Sequence, residues 1–279
     1  MRTVGEKTAL VTGASSGIGA ATAVKLCELG FTVYGAARRL DRLEAFEAAG
    51  VRPLELDLTD DVSMRDGVER AVEATGRIDV LVNNAGYGAY GAVEDVPPEE
   101  ARRQLEVNVL GAARLAQLVL PHMRARRSGT IVNVTSMGGR LHTPLGGWYH
   151  AAKFALEGLS DCLRLETRPF GIDVVVVEPG AIRTEWGAIA AGHLERISGG
   201  GAYATQARAV ASALAGAAGG GRGSSPEVVA DTIARAVTAA RPRTRYVVGF
   251  GARPLLFARR VLPDRAFDSL VARALGTRS

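Results

Sequence analysis

Residues 8–19 read TALVTGASSGIG, an apolar run that ends in a turn holding Gly13, Gly17 and Gly19. The run predicts a strand over residues 8–12, and the residues after the turn open a helix. Three glycines at such a junction permit a tight turn and close approach of the backbone to a ligand. The first N–H groups of the helix are unpaired, so a pyrophosphate can sit at its N-terminus.

The same alternation continues along the chain. Strands are expected at 32–36, 53–56, 80–82, 130–134, 172–177 and 246–248, and helices at 17–29, 41–49, 61–75, 99–127, 150–168 and 226–240. Strand alternating with helix at this spacing predicts a doubly wound α/β fold, a parallel seven-stranded sheet with helices on both faces. The four valines at 174–177 fit a strand buried on both sides. One interval breaks the pattern. Residues 192–224 hold nine glycines and are expected to form a flexible substrate lid carrying a short helix or two. The catalytic domain is expected over 1–253, followed by a basic amphipathic helical tail at 254–279. There Phe267, Leu270, Val271, Ala274 and Leu275 form one apolar stripe that would dock on the body.

Composition narrows the function classes. The 279 residues are 47% hydrophobic and 23% charged, which excludes a disordered chain, a disulfide scaffold and a fibrous repeat. The net charge of +5 is uneven. Residues 241–279 carry nine Arg, no Lys and two Asp, so residues 1–240 sum to −2. The body therefore lacks the charge of a nucleic-acid binder. Cys27 and Cys162 lie far apart with no metal-ligand spacing, so no metal site is expected. No apolar stretch reaches the ~18 residues of a membrane span, and residues 1–13 leave no room for a secretory leader. A cytoplasmic protein without an integral membrane segment is expected.

Chemistry concentrates in three further places. Asn83–Gly86 reads NNAG after the fourth strand, where the amides could brace the sheet. Ser136 closes the strand IVNVTS at 131–136. Tyr149 and Lys153 share a helix face one turn apart.

Together these residues resemble the short-chain dehydrogenase/reductase family, in its short, NADP-preferring form and its steroid- and retinol-dehydrogenase-like branch. The resemblance runs from Lys7 to about Gly249 and rests on motifs in order: TGASSGIG at 12–19, Asp57-Leu58, NNAG, Asn108 in EVNVLG, Ser136 with Tyr149 and Lys153, and Pro179-Gly180 followed by Thr184. It implies a Rossmann-type fold and hydride transfer between NADP(H) and a carbonyl or a secondary or primary alcohol on a lipophilic small molecule. Tyr149 would be the general acid or base. Lys153 would hold the nicotinamide ribose and lower the Tyr149 pKa, by about three units for an ammonium ~4 Å away. Ser136 would hydrogen-bond the substrate oxygen, and Asn108 would fix a water in a proton relay.

The resemblance further implies that Thr184 holds the carboxamide and that Asn83 and Gly86 line the adenosine side. Gly13, Ser15, Ser16, Gly17, Ile18, Gly19, Asp57, Leu58, Ala85, Pro179, Gly180 and Ile182 would complete the coenzyme cleft with Tyr149 and Lys153. Where an acid would select NAD stands Ala37, followed by Arg38 and Arg39, which favours the 2′-phosphate of NADP. Met137, His142 and Trp186 would join Ser136 and Tyr149 around the substrate, although Arg140, His142 and Arg183 could instead meet a carboxylate. Ala152 stands where Ser or Thr is common, and the tetrad is intact. A homodimer or homotetramer paired through the helices at 99–127 and 150–168 is implied. A non-catalytic dinucleotide sensor is the competing reading. It would be marked by loss of Ser136, Tyr149 or Lys153, and all three are present.

Overall fold

The computed structural model describes residues 7–219 and 223–277. Of the expected domain, residues 1–6, of the lid, residues 220–222, and of the tail, residues 278–279 lie outside the described residues. Among the described residues, seven strands form one sheet: β1 (Thr8–Thr12), β2 (Thr32–Ala37), β3 (Val51–Glu55), β4 (Val80–Asn83), β5 (Gly129–Val134), β6 (Ile172–Pro179) and β7 (Arg245–Val248). Their order is β3-β2-β1-β4-β5-β6-β7, and every pairing is parallel. Sequence order reverses between β1 and β4, so a crevice opens beyond their carboxyl ends.

The two-residue period of a strand sorts its side chains into two apolar layers. Ala9, Val11, Val33, Val175 and Val177 face one layer, with Leu26, Val229 and Ile233. Leu10, Tyr34, Ile131 and Val174 face the other, with Met64, Val68, Leu115 and Val119. The helices that bring these residues are α1 (Gly17–Glu28), α2 (Leu40–Glu44), α3 (Asp61–Thr75), α4 (Pro98–Leu105), α5 (Gly111–Ala125), α6 (Gly147–Thr167), α7 (Glu185–Ser198), α8 (Ala204–Gly219), α9 (Pro226–Thr238), α10 (Ala252–Val261) and α11 (Asp264–Leu275). Thus α1 and α9 cover one face of the sheet, and α3 and α5 the other.

Two expected helices are interrupted. Residues 99–127 form α4 and α5 joined by a wide turn at Glu106–Leu110 with π-type bonding. The extra residue lets Asn108 turn inward, where its side chain pairs with both the N–H and the C=O of Tyr87, at 3.0 and 2.8 Å. Gly111 follows because a Cβ there would stand 2.7 Å from Leu58 Cβ. Residues 41–49 form only the short α2 and a tight turn at Glu47–Ala49, ended by Gly50 at φ +89°.

The Gly-rich interval is largely helical. Its α8 and the preceding α7 pack on one another, sharing Ala190, Leu194, Ala207 and Val210 in one apolar cluster with Tyr90 and Tyr149. After α8 the chain is tied back to the sheet end, where Arg183 N–H donates to Ser224 O at 2.8 Å and the Arg183 guanidinium donates to Gly223 O. The expected tail stripe docks in part: Phe267 and Val271 are buried against Leu141 and Met137 and Leu275 is half-buried, whereas Leu270 and Ala274 are exposed.

At the sheet edge, Arg245 of β7 reaches Glu157 and Asp161 of α6 at 2.9 and 2.7 Å and Glu178 of β6 at 3.3 Å. Glu178 is fully buried and Glu157 nearly so. Burial and the neighbouring Glu157 push the Glu178 carboxyl above its ordinary value, with Arg140 and Arg245 opposing. Arg245→Met is expected to destabilise the fold by about 3–5 kcal/mol, the cost of leaving buried charge uncompensated. Urea denaturation measures it. A carboxyl raised in the folded state binds its proton there first, so the variant should recover part of the loss as pH falls toward the carboxylate range.

Candidate active site

A cavity of about 770 Å³ lies beyond the strand ends. Its floor at one end is the glycine turn. Gly13 and Gly17 adopt φ of +66° and +54°, a region open to glycine at little cost. A Cβ on Gly19 would fall 2.1 Å from Gly13 O, so only glycine lets α1 start this close to the turn. Thr12 and Asn84 fasten the turn to β4: Thr12 Oγ1 accepts from the N–H groups of Asn84 and Ala85, both at 3.0 Å, and Asn84 Nδ2 donates to Thr12 O at 2.9 Å.

Most expected coenzyme residues meet here. Gly13, Ser15, Ser16, Gly17, Ile18, Arg38, Arg39, Asp57, Leu58, Ala85, Gly86, Pro179, Gly180, Ile182 and Thr184 all line the cavity. Thr184 caps α7 by accepting from Trp186 N–H at 3.3 Å. Gly19 acts behind the lining, through the close approach just described. Asn83 departs from its expected place on the adenosine side. Its Nδ2 donates to Asn133 Oδ1 at 2.9 Å and Ala112 O at 3.2 Å, so it braces the buried sheet. An open glycine cradle at a helix N-terminus, with Arg38 and Arg39 on the same wall, suits the phosphates of a dinucleotide.

At the other end Ser136, Tyr149 and Lys153 converge on the cavity. Ser136 Oγ accepts from Gly138 N–H at 3.0 Å and its hydroxyl hydrogen-bonds Tyr149. Lys153 Nζ donates to Val134 O at 3.1 Å. A Cβ on Gly86 would lie 2.8 Å from Asn108 Oδ1 and 3.5 Å from Lys153 Nζ, so Asn108 and Lys153 meet across that glycine. The expected depression of Tyr149 is not present. Burial pushes Tyr149 up to about 12, with the Ser136 hydrogen bond pulling back, and burial lowers Lys153 to about 8 against the attraction of Glu157. Two buried groups with opposed shifts are the usual mark of an acid–base site.

The substrate side is apolar and aromatic. Trp186 stacks near Tyr149 and edge-on to Tyr90, with centroids 5.1 and 6.0 Å apart. Met137 lines the cavity, with Leu141, Ile189, Val210, Leu214 and Leu275 farther along. His142 is a correction: it points outward, half-exposed, and pairs with Asp268 of α11 at 3.0 Å. The carboxylate-binding alternative goes with it, since Arg140 pairs with Glu178 and Arg183 with Gly223.

Residues 7–191 match the family model for short chain dehydrogenases. The chain belongs to the short-chain dehydrogenase/reductase family. It is 44% identical over 175 residues to a 3-ketodihydrosphingosine reductase of Bacteroides thetaiotaomicron, a match covering 63% of this chain and 64% of that one. It is 34% identical over 276 residues to an NADPH-dependent 3-dehydrocapnine reductase of Ornithobacterium rhinotracheale, covering 94% and 95%. A solved short-chain dehydrogenase from Streptomyces avermitilis superposes with a TM-score of 0.81, at 35% identity and 98% coverage of both chains. Family structures resemble it with either coenzyme bound. A metagenomic oxidoreductase holds NADP (TM-score 0.70, 29% identity, 88% of this chain, 98% of that one), and a Burkholderia phymatum protein holds NAD (0.80, 26%, 94% of each). Members thus bind a nicotinamide dinucleotide.

The sequence reading missed His150, Thr143 and Tyr90. His150 is buried beside Tyr149, its Nδ1 2.8 Å from Gly138 O and its Nε2 accepting from Thr143 N–H at 3.0 Å. The ring is therefore neutral with its proton on Nδ1, and it holds the loop after Ser136 against α6. Burial lowers its pKa below the ordinary 6.5. The unfolded chain then takes up the proton first, so stability falls as pH drops through 6.5. Melting temperatures followed downward from neutral pH should fall more steeply for wild type than for His150→Asn, which keeps the donor to Gly138 and has no proton to gain.

Proposed function

We propose that this enzyme uses NADP(H) to interconvert a ketone and a secondary alcohol on a lipophilic small molecule. The observation that carries the reading is the meeting of Ser136, Tyr149 and Lys153 in the same cavity that the glycine turn, Arg38 and Arg39 line. A bound nicotinamide dinucleotide would supply or accept the hydride. Ser136 donates to the substrate oxygen, and Tyr149, fully protonated at neutral pH with a pKa about 12, passes its proton to that oxygen as negative charge develops. Lys153, whose Nζ donates to Val134 O at 3.1 Å, would hold the ribose of the bound coenzyme and stabilise the phenolate left behind. The relatives named for a 3-keto and a 3-dehydro compound support a lipophilic ketone. The free thiols of Cys27 and Cys162 fit a cytoplasmic setting.

The α7–α8 pair serves as the lid. It carries Trp186, Ile189, Val210 and Leu214 into the cavity and is linked to α2 by Arg42 and Glu185 at 3.1 Å. Slower amide exchange in these helices on addition of coenzyme and ketone checks this, and exchange already slow without them contradicts it.

A panel of ketones, 3-ketodihydrosphingosine among them, tested with NADPH and NADH tests the reading directly. Tyr149→Phe should lower kcat by about 10²–10⁴-fold, the contribution of a positioned general acid, while coenzyme binding stays near wild type; activity within tenfold would sink the assignment. Arg38→Asp should shift kcat/KM toward NADH by one to two decades. Charge-assisted hydrogen bonds of about 1.5–3 kcal/mol each are lost with the 2′-phosphate contact. A wild-type enzyme that prefers NADH overturns the coenzyme assignment.

A further inference from the structure

The basic tail holds two acidic residues, and both are occupied within the fold. Asp264 pairs with Arg259 at 2.9 Å, whose guanidinium lies over the Phe267 ring, and Asp268 pairs with His142. Among the described residues, Arg253, Arg260 and Arg265 are exposed and have no ion pair or hydrogen bond through their side chains. These arginines border an apolar surface. Leu255 and Ala258 of α10, with Leu262 just after it, turn inward to the cluster around Phe267. Phe257 and Val261 stand on the opposite side, 67% and 56% exposed, with Phe250 just before the helix at 56%. Arg253, Phe257, Arg260 and Val261 fall at helical spacing on one stripe.

We infer that the outer face of α10 and its turn into α11 docks on an anionic lipid surface. No helix among the described residues is long and apolar enough to cross a membrane, so the contact is peripheral. Exposed aromatic and aliphatic side chains flanked by arginines are the composition of an interfacial helix, the rings entering the headgroup boundary and the guanidinium groups meeting lipid phosphates. A second copy fits poorly. A two-fold contact lays the patch on itself, and three unpaired arginines would face three more with no free carboxylate between them. The α10–α11 pair also supplies Leu275 to the cavity wall, so the same pair would touch both the bilayer and the cavity.

The test needs neither coenzyme nor ketone, so its outcome is independent of the proposed reaction. The full chain is sedimented with vesicles of equal parts phosphatidylglycerol and phosphatidylcholine, and with vesicles of phosphatidylcholine alone. Binding is expected only to the anionic vesicles, with loss at high salt. Replacing Arg253, Arg260 and Arg265 by Gln should weaken partitioning at least tenfold, given about fivefold per arginine near such a surface. Phe257→Asp should do likewise. An unchanged melting temperature shows that the variants fold, and the salt dependence of wild type provides a measurement free of substitutions. A wild-type protein that stays in the supernatant with both vesicles overturns the inference, as does equal binding by the triple variant. So does an oligomer that Phe257→Asp splits on a sizing column, which would make a second copy the occupant.

Discussion

One guanidinium holds three carboxylates at the edge of the sheet. Glu157 and Glu178 are too buried and too near one another for both to carry charge without a cation between them, and Arg245 supplies it from the last strand. Such an arrangement is costly to desolvate and adds little net stability. What it fixes is geometry. Glu157 lies one turn beyond Lys153 on α6, accepts from the Thr135 hydroxyl at 2.6 Å, and is the charge that opposes the downward shift of Lys153. The placement of β7, the tilt of α6 and the proton affinity of Lys153 are therefore one problem with one solution.

A second polar chain holds the same stretch of α6 from the other side of the sheet's strand order. Asn83 donates to Asn133, Asn133 Nδ2 donates to Ser160 Oγ at 2.8 Å, and Ser160 donates to Leu156 O at 2.6 Å. Buried amides without partners are expensive, so this relay from β4 through β5 into α6 admits little sliding. Asn84, the neighbour of Asn83, performs the matching task on the opposite side of the strand end by holding the glycine turn. The NNAG motif therefore divides its labour: its first amide fixes the helix that bears Tyr149, and its second fixes the coenzyme turn.

The sequence made much of this legible for a physical reason. Short apolar or β-branched runs are local signals, and each of the seven strands overlaps one of them. Tyr149 and Lys153 were visible because a helix turns four residues into a shared face, and Ser136 because it closes a strand. Side-chain direction set by distant partners was not visible. His142 sits in the segment that forms the pocket wall, yet a carboxylate 126 positions away turns it outward. Arg245 reads as one more tail arginine until the fold brings Glu157, 88 positions earlier, beside it. Asn108 interrupts a helix whose apolar period runs on unbroken, because the bond that interrupts it is to the backbone of Tyr87.

The loop from Ser136 to Thr143 joins chemistry to recognition. Its start places the Ser136 hydroxyl against Tyr149, and its middle is clamped by His150 to the helix bearing that tyrosine. Its apolar side chains, Met137 and Leu141, pack under Phe267 and Val271 of the tail. In the proposed reaction, a lipophilic substrate pressing on Leu141 would load the same short segment that holds the Ser136 hydroxyl. Because a close-packed interior passes on small displacements, binding at the apolar end and alignment at the polar end are not separable. On the proposed function, specificity would depend on how α11 seats as much as on the residues that touch the carbonyl.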